Sequence, residues 1–364
     1  LLILNSLIPN ISRLIHNQIV KTETSVHELS YLFWECTQRC NLNCKHCGTD
    51  CSANSLIKDM PFEHFIEAIK PLTEIYKRDS ITVVMSGGEP LLRSDLAYCG
   101  TNLRKHGFRW GIVTNGFLYD YDMHGLLLGA GMGAITLSLD GLGESHNWLR
   151  GNNQSFSRAM KALDLISSSE RLFYDVVTCV NSKNINELGH IKQYLISKNV
   201  KEWRLFTIAP IGRATNQPEL ELNGQQIKTM LDFIAQSRFE NKIRVSLSCE
   251  AYVGEYEKKI RDNYFFCRAG INIASVLIDG SISACPNINR HFSQGNIYHD
   301  NFMDVWNNRF SVMRDRSWTK QGTCSNCKEF KNCNGGAMHL WDEKKDCISK
   351  CLYNEMKEFK MSCC

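Results

Sequence analysis

The chain contains 17 cysteines, and two dense groups of them have the spacing of metal sites. The first group lies in ECTQRCNLNCKHCGTDC, residues 35–51. Within it Cys40, Cys44 and Cys47 follow a C-x3-C-x2-C pattern. Three thiolates on one loop suffice for three irons of a [4Fe–4S] cluster. The fourth iron is then open, which suits a catalyst better than an electron carrier. A zinc knuckle would instead want four ligands in two C-x2-C pairs. Cys36 and Cys51 flank the triad, and either is a candidate fourth ligand. Cys36 lies inside an apolar run and reads equally well as core.

The second group begins with Cys267 and Cys285, spaced C-x12-G-x4-C through Gly280. Cys324, Cys327 and Cys333 follow as C-x2-C-x5-C, then Cys347 and Cys351. Iron–sulfur clusters fit these spacings, and zinc also suits a four-thiolate site. A disulfide framework is characteristic of small secreted domains, whereas this chain is long enough to bury a sizeable core. Clustered thiols in such a chain point to metal sites in a reducing cytoplasm. Cys99 and Cys179 stand alone and read as core. The tail pair Cys363 and Cys364 carries no functional reading.

The elements that must position these groups are legible as alternating patterns. Apolar, β-rich runs at 31–36, 81–87, 110–115, 134–140, 173–180 and 202–208 read as six strands. Amphipathic stretches at 62–76, 154–168 and 184–198 read as helices between them. Strands alternating with helices predict an α/β fold with a parallel sheet, curled into a partial (β/α)6 TIM-like barrel. In such folds the chemistry gathers at the C-terminal strand ends, where the polar motifs of this chain fall.

After about residue 240 the pattern changes to short strands, a hairpin near Asp279-Gly280, a short helix near 301–309 and cysteine-rich loops. The expected division is an N-terminal strap at 1–30, a core domain at 31–240 and a small cysteine-rich extension at 241–364. The strap is expected to be an amphipathic helix packing on the main domain. It is too interrupted by polar residues for a signal peptide or a span, so no membrane role is expected. The missing initial methionine reads as a fragment or processed chain. A net charge of +4 without a dense basic block gives no case for nucleic acid.

With its aromatic residue His46 before the last cysteine, the first loop resembles the signature of the radical S-adenosylmethionine (SAM) superfamily. SGGEP (86–90), TNG (114–116) and LSLDG (137–141) follow in order, each at the end of a predicted strand. The resemblance implies a [4Fe–4S] cluster on Cys40, Cys44 and Cys47 that binds SAM. It assigns the SAM amino group to Gly87, Gly88 and Glu89 and the ribose side to Asn115. The SAM carboxylate falls to Ser138 and Arg150, with Asn181 a further contact. The implied reaction is reductive cleavage of SAM to a 5′-deoxyadenosyl radical that abstracts hydrogen from substrate.

The second group, with FCRAG (266–270), SACP (283–286) and QGNI (294–297), resembles the SPASM extension, which carries auxiliary iron–sulfur clusters. One or two such clusters are implied. The distal one would use Cys324, Cys327, Cys333 and either Cys347 or Cys351. The inner one would use Cys267 and Cys285, but Ala337 stands where the family pattern places its next cysteine. Cys249 or the spare member of the Cys347/Cys351 pair would complete it, or an iron would stay open, or no inner cluster would form.

Enzymes of this type mostly modify peptides or proteins, so a ribosomally made peptide or a protein is the expected substrate. A flavodoxin or ferredoxin is the expected reductant. No winged-helix peptide-binding module fits ahead of residue 31, so leader recognition would fall to the barrel, the SPASM loops or a separate partner. The formylglycine-forming sulfatase-maturase type is an alternative, disfavoured because Pro286 stands where its aspartate base belongs. A non-catalytic electron carrier is a second alternative, disfavoured because a carrier has no use for a SAM pocket.

Overall fold

The computed structural model describes residues 2–248, 250–342 and 344–362. Seven strands follow one another in parallel: β1 (Tyr31–Thr37), β2 (Thr82–Gly87), β3 (Arg109–Thr114), β4 (Ala134–Ser138), β5 (Phe173–Val180), β6 (Glu202–Thr207) and β7 (Arg244–Leu247). Six of them are the strands predicted from the apolar runs. The architecture is a partial TIM-like barrel. β8 (Ile273–Val276) pairs in parallel with the free side of β1, and the short strands β9 (Ser281–Ser283) and β10 (Gly295–Asn296) extend that edge antiparallel. The cysteine-rich part of the chain therefore shares the barrel's sheet. The turn at 277–280 between β8 and β9 is the hairpin expected near Asp279-Gly280.

One face of the sheet is packed. Leu32 and Trp34 of β1, Val83 and Met85 of β2, Trp110 of β3, Leu137 of β4 and Trp203 of β6 are fully buried, as the period-2 alternation of strands requires. Trp34 stacks on Phe65 of the helix α2 (Phe62–Ile69), ring centroids 4.4 Å apart. The predicted single helix over 62–76 is two pieces, α2 and α3 (Leu72–Ile75), because Pro71 interrupts it. Proline has no N–H to give and its ring clashes with the carbonyl four residues back. Helices α4 (Leu96–Lys105), α5 (Tyr121–Gly129), α6 (Glu144–Arg150), α7 (Ser155–Ser167), α8 (Leu188–Ser197) and α9 (Gly224–Glu240) follow in the crossovers.

The N-terminal strap is a helix, α1 (Leu2–Val26). From it, contacts run to the cysteine-rich part of the chain. Arg13 lies 3.7 Å over the ring of Tyr264, Glu23 pairs with Arg268, and the carbonyl of His27 just beyond accepts from Trp306 Nε1 at 3.2 Å. A second tie between the two parts is Glu35 of β1, 3% exposed, whose Oε2 accepts from the Ile278 N–H (2.9 Å) and from Arg290 (3.0 Å).

Gly100 in α4 shows how tightly the helices seat on the sheet. A Cβ there would lie 2.2 Å from the buried Trp110 ring. In an ordinary helix interior Gly→Ala gains about 0.5–1 kcal/mol, but overpacking a rigid aromatic costs about 1–3 kcal/mol. Gly100→Ala is therefore expected to lower stability, by about 1–2 kcal/mol, read as a lower urea midpoint. An unchanged or raised midpoint would show that the interface yields.

Candidate functional site

The cysteine triad occupies a loop after β1 with no helix or strand of its own, pinned by a bridge between Arg39 and Ser52. Glycines let neighbouring elements close on it. A Cβ on Gly87 would fall 2.2 Å from the Thr37 carbonyl, and one on Gly88 would fall 2.1 Å from that of Arg39. These glycines thus seat the end of β2 against the chain's own cysteine loop. From the other side Lys45 N–H donates to Leu149 O at 2.9 Å, and Gly151 packs on the Asn43 carbonyl.

The three thiols are near enough to act on one another's ionisation. Burial pushes Cys40 up to about 11, and the nearby Cys44 and Cys47 add to the rise. Cys44 is also raised by burial, opposed by Arg150, whose Nη1 lies 3.7 Å from its sulfur. Thr49 Oγ1 lies between two sulfurs, 3.5 Å from Cys47 and 3.1 Å from Cys51, and the nearby Cys51 and Thr49 hold Cys47 low. Cys51 thus serves its neighbour's sulfur. Cys36 is buried in the core and donates to Ser86 O at 3.3 Å.

The strand-end motifs converge on this loop. Glu89 is buried, and burial pushes its carboxyl up to about 7. Its oxygens accept from Thr114 Oγ1 (2.7 Å), Leu91 N–H (3.2 Å) and Asn115 N–H (2.8 Å). It therefore braces the end of β2 to the end of β3. Asn115 extends Nδ2 to Asn41 Oδ1 at 2.9 Å and to within 4.0 Å of the Cys40 sulfur. Ser138 closes β4 and is buried. Asn181 spends its side chain in its own turn, accepting from Lys183 N–H and donating to Cys179 O.

Asp140 organises the β4 end. Its Oδ2 accepts from Arg150 Nε at 2.6 Å and its Oδ1 from Cys179 N–H at 2.8 Å. Burial alone would raise this carboxyl, but Arg150 and then the nearby histidines hold it below the usual range. His146, buried beside Ser155, accepts from the Asp140 N–H at 3.0 Å. His46, Asp140 and Cys179 place possible ligand atoms within 4.8 Å of one another, yet Asp140 is already committed to Arg150.

In the second group Cys333 is pushed up to about 12 by burial and by Cys324, Cys351 and Cys327. Cys351 in turn feels Cys324 and Cys327, and Cys347 acts on Cys324. These five thiols are therefore near enough to act on one another's ionisation. Cys267 is held below its usual value despite burial, because Arg316 and the N–H groups of Met338 and Ala269 favour its thiolate. Ala337, 1% exposed, immediately precedes Met338 and so lies beside Cys267. Cys285 is half-buried. Cys249, Cys363 and Cys364 lie outside the described residues.

These residues fit the groups that the sequence implies. Every described cysteine is free, so no thiol is consumed in a disulfide. Asn41 Nδ2, His46 Nδ1 and Ser86 Oγ are buried around the loop without a partner, and such orphans call for one.

A loop of three free cysteines at the C-terminal mouth of a parallel barrel, with a second cysteine group downstream, suits an iron–sulfur protein. The radical SAM superfamily model matches residues 34–195, and that of the SPASM iron–sulfur cluster-binding domain matches 267–328. The chain is 25% identical over 338 residues to Fe-coproporphyrin III synthase of Methanosarcina barkeri, covering 83% of this chain and 81% of that protein. It is 26% identical over 312 residues to mycofactocin maturase MftC of Mycobacterium tuberculosis, covering 84% and 78%. The solved structure of native anSMEcpe with bound AdoMet and Cp18Cys peptide aligns with a TM-score of 0.69 at 21% identity, covering 92% and 97%. The chain carries a radical SAM domain followed by a SPASM domain. These domains imply a [4Fe–4S] cluster, SAM and auxiliary clusters. Among the described residues no helix is long and apolar enough to cross a membrane.

Sequence reasoning missed Glu250. It is buried just past β7, and both its oxygens face the Thr207 N–H, at 2.8 and 2.7 Å. Burial raises its carboxyl to about 7. A raised carboxyl favours the fold fully below the ordinary value near 4.5, and that contribution is lost as pH rises to about 7. Stability is therefore expected to fall across this window, with a slope on the order of 1.4 kcal/mol per pH unit for one such group. Glu250→Gln should flatten the slope of melting temperature against pH, and an unaltered slope would refute the assignment.

Proposed function

We propose that the protein reductively cleaves SAM and abstracts hydrogen from a peptide or protein substrate, in the maturation of a ribosomally made peptide. The observation that carries this reading is the meeting of Cys40, Cys44 and Cys47 with the ends of β2, β3 and β4 on one side of a parallel sheet. When bound, the cluster and SAM supply the 5′-deoxyadenosyl radical. The chain's own residues bind and orient. Cys40, Cys44 and Cys47 hold the cluster. The backbone at Gly87 and Gly88 meets the SAM amino group, with Glu89 fixing that turn. Asn115 serves the ribose side. Ser138 and Arg150 receive the carboxylate, with Arg150 aimed by Asp140, while Asn181 shapes the turn beside them.

In the SPASM part, Cys324, Cys327, Cys333 and Cys351 hold a distal cluster, and Cys347 stands beside it. Cys267 and Cys285 hold an inner cluster that lacks a ligand at Ala337. A flavodoxin or ferredoxin delivers the electron, in the cytoplasm.

The peptide assignment is supported by the maturase relative. A porphyrin substrate is the second reading, because the Fe-coproporphyrin III synthase relative is about as similar over as much of the chain. Anaerobically reconstituted protein with SAM and dithionite is expected to yield 5′-deoxyadenosine. The Cys40/Cys44/Cys47→Ala triple variant should lose this product entirely yet retain iron in the SPASM sites. Absence of the product from wild type with its cluster present would refute the enzyme reading. An iron-free triple variant would refute the auxiliary sites. Adding the candidate precursor peptide encoded beside the gene, or a coproporphyrin, separates the substrates by which one raises 5′-deoxyadenosine and changes mass.

A further inference from the structure

The cysteine loop has another support, which reaches it from the far side of the barrel. After β6 the chain enters a short 3-10 turn, Gly212–Asn216, and Arg213 lies against the loop. Its Nε donates to Cys44 O at 2.8 Å. Its Nη1 donates to Cys51 O at 2.8 Å and to Asp50 Oδ1 at 3.0 Å. Its own backbone N–H donates to Cys47 O at 2.9 Å. One residue thus takes the carbonyls of three cysteines, two of them in the triad.

Gly212 makes this approach possible. Its φ is +58°, and a Cβ would fall 2.4 Å from Cys47 O and 2.5 Å from Gly48 O. Only glycine fits a positive φ flush against another backbone. The guanidinium is also positioned to act by charge. Its carboxylate partner Asp50 is 70% exposed, against 22% for Arg213 itself. Water screens the Asp50 side of the pair more than the side facing the thiols.

We propose that Arg213 is a positioning residue for the cluster on Cys40, Cys44 and Cys47, fixing its loop from the β6 side and favouring its reduced state. This rests on the radical SAM reading. Reduction adds negative charge to the cluster, and a cation held close by stabilises that charge. The two contributions separate by chemistry. Lysine keeps the charge as a point but cannot span two carbonyls with a rigid fork, and glutamine keeps donors without charge.

The test uses full-length, anaerobically reconstituted wild type, Arg213→Lys and Arg213→Gln. The midpoint potential is read from the reduced-cluster EPR signal that responds to added SAM, which sets this cluster apart from the auxiliary ones. Cluster loss in air is read from iron released over time. Arg213→Gln is expected to shift the midpoint to more negative potential and to lose its cluster several-fold faster. Arg213→Lys is expected to keep the wild-type midpoint but to lose its cluster faster. A wild-type midpoint in Arg213→Gln, or wild-type lability in Arg213→Lys, overturns the proposal. If Arg213→Gln holds no cluster, the Arg213→Lys lability alone decides it. Failure of the underlying reading is distinct, since wild type would then show no SAM-responsive signal and no 5′-deoxyadenosine.

Discussion

The three cysteines of the triad sit on a loop with no helix or strand of its own, and most of the structure around them answers the need to hold that loop in place. Burial raises the Cys40 and Cys44 thiols, so cations and donors that favour their ionised form have to come from outside the loop. The hold is made of cations and donors from several elements. Arg150 of α6 lies against the Cys44 sulfur, Asn115 beyond β3 extends towards Cys40, and Arg213 beyond β6 takes the loop's carbonyls. None of these elements is near another in sequence. They meet because a parallel sheet sends the ends of all its strands to one side.

Behind these contacts stands a second tier that fixes the first. Arg150 needs a direction, and Asp140 provides it through a buried ion pair. Asp140 is itself held by the Cys179 N–H, while its backbone N–H meets His146 and its carbonyl accepts from Asn184 Nδ2 at 2.7 Å. Breaking such a buried pair from one side leaves an uncompensated charge, which costs far more than the net worth of the intact pair. The pair is therefore better understood as aiming Arg150 than as stabilising the barrel. Glu89 plays the corresponding part between β2 and β3, as a buried carboxyl that spends its acceptors on two neighbouring turns.

Much of this was legible in the sequence, for identifiable reasons. The six long strands announce themselves because each carries a full apolar run, and the triad does so because its spacing is dense. The place of β7 and β8 in the barrel's sheet was not legible. Each has four residues, too few to show a period, and although the hairpin that begins with β8 was expected, its partner β1 lies more than 200 residues away in the chain. Arg213 left no trace because a lone arginine after a strand matches no spacing rule, and its partners are backbone carbonyls, which every residue has. Glu89 and Gly87 were legible as important, but their work inside the protein was not. A motif shows that a backbone turn is needed there, whereas only the fold shows that Thr37 and Asn115 are what the turn closes on.

The same reasoning about charge bears on the SPASM region, where Ala337 removes an expected thiol. Arg316 is buried, and its N–H groups go to the carbonyls of Met313, Cys267 and Ala269. Among the described residues it has no carboxylate partner. A guanidinium in that position is costly unless negative charge is close, and the thiol it favours in ionised form is Cys267. The buried Arg316 thus favours an ionised Cys267, the form in which a thiol ligates a metal, while Ala337 offers no thiol beside it.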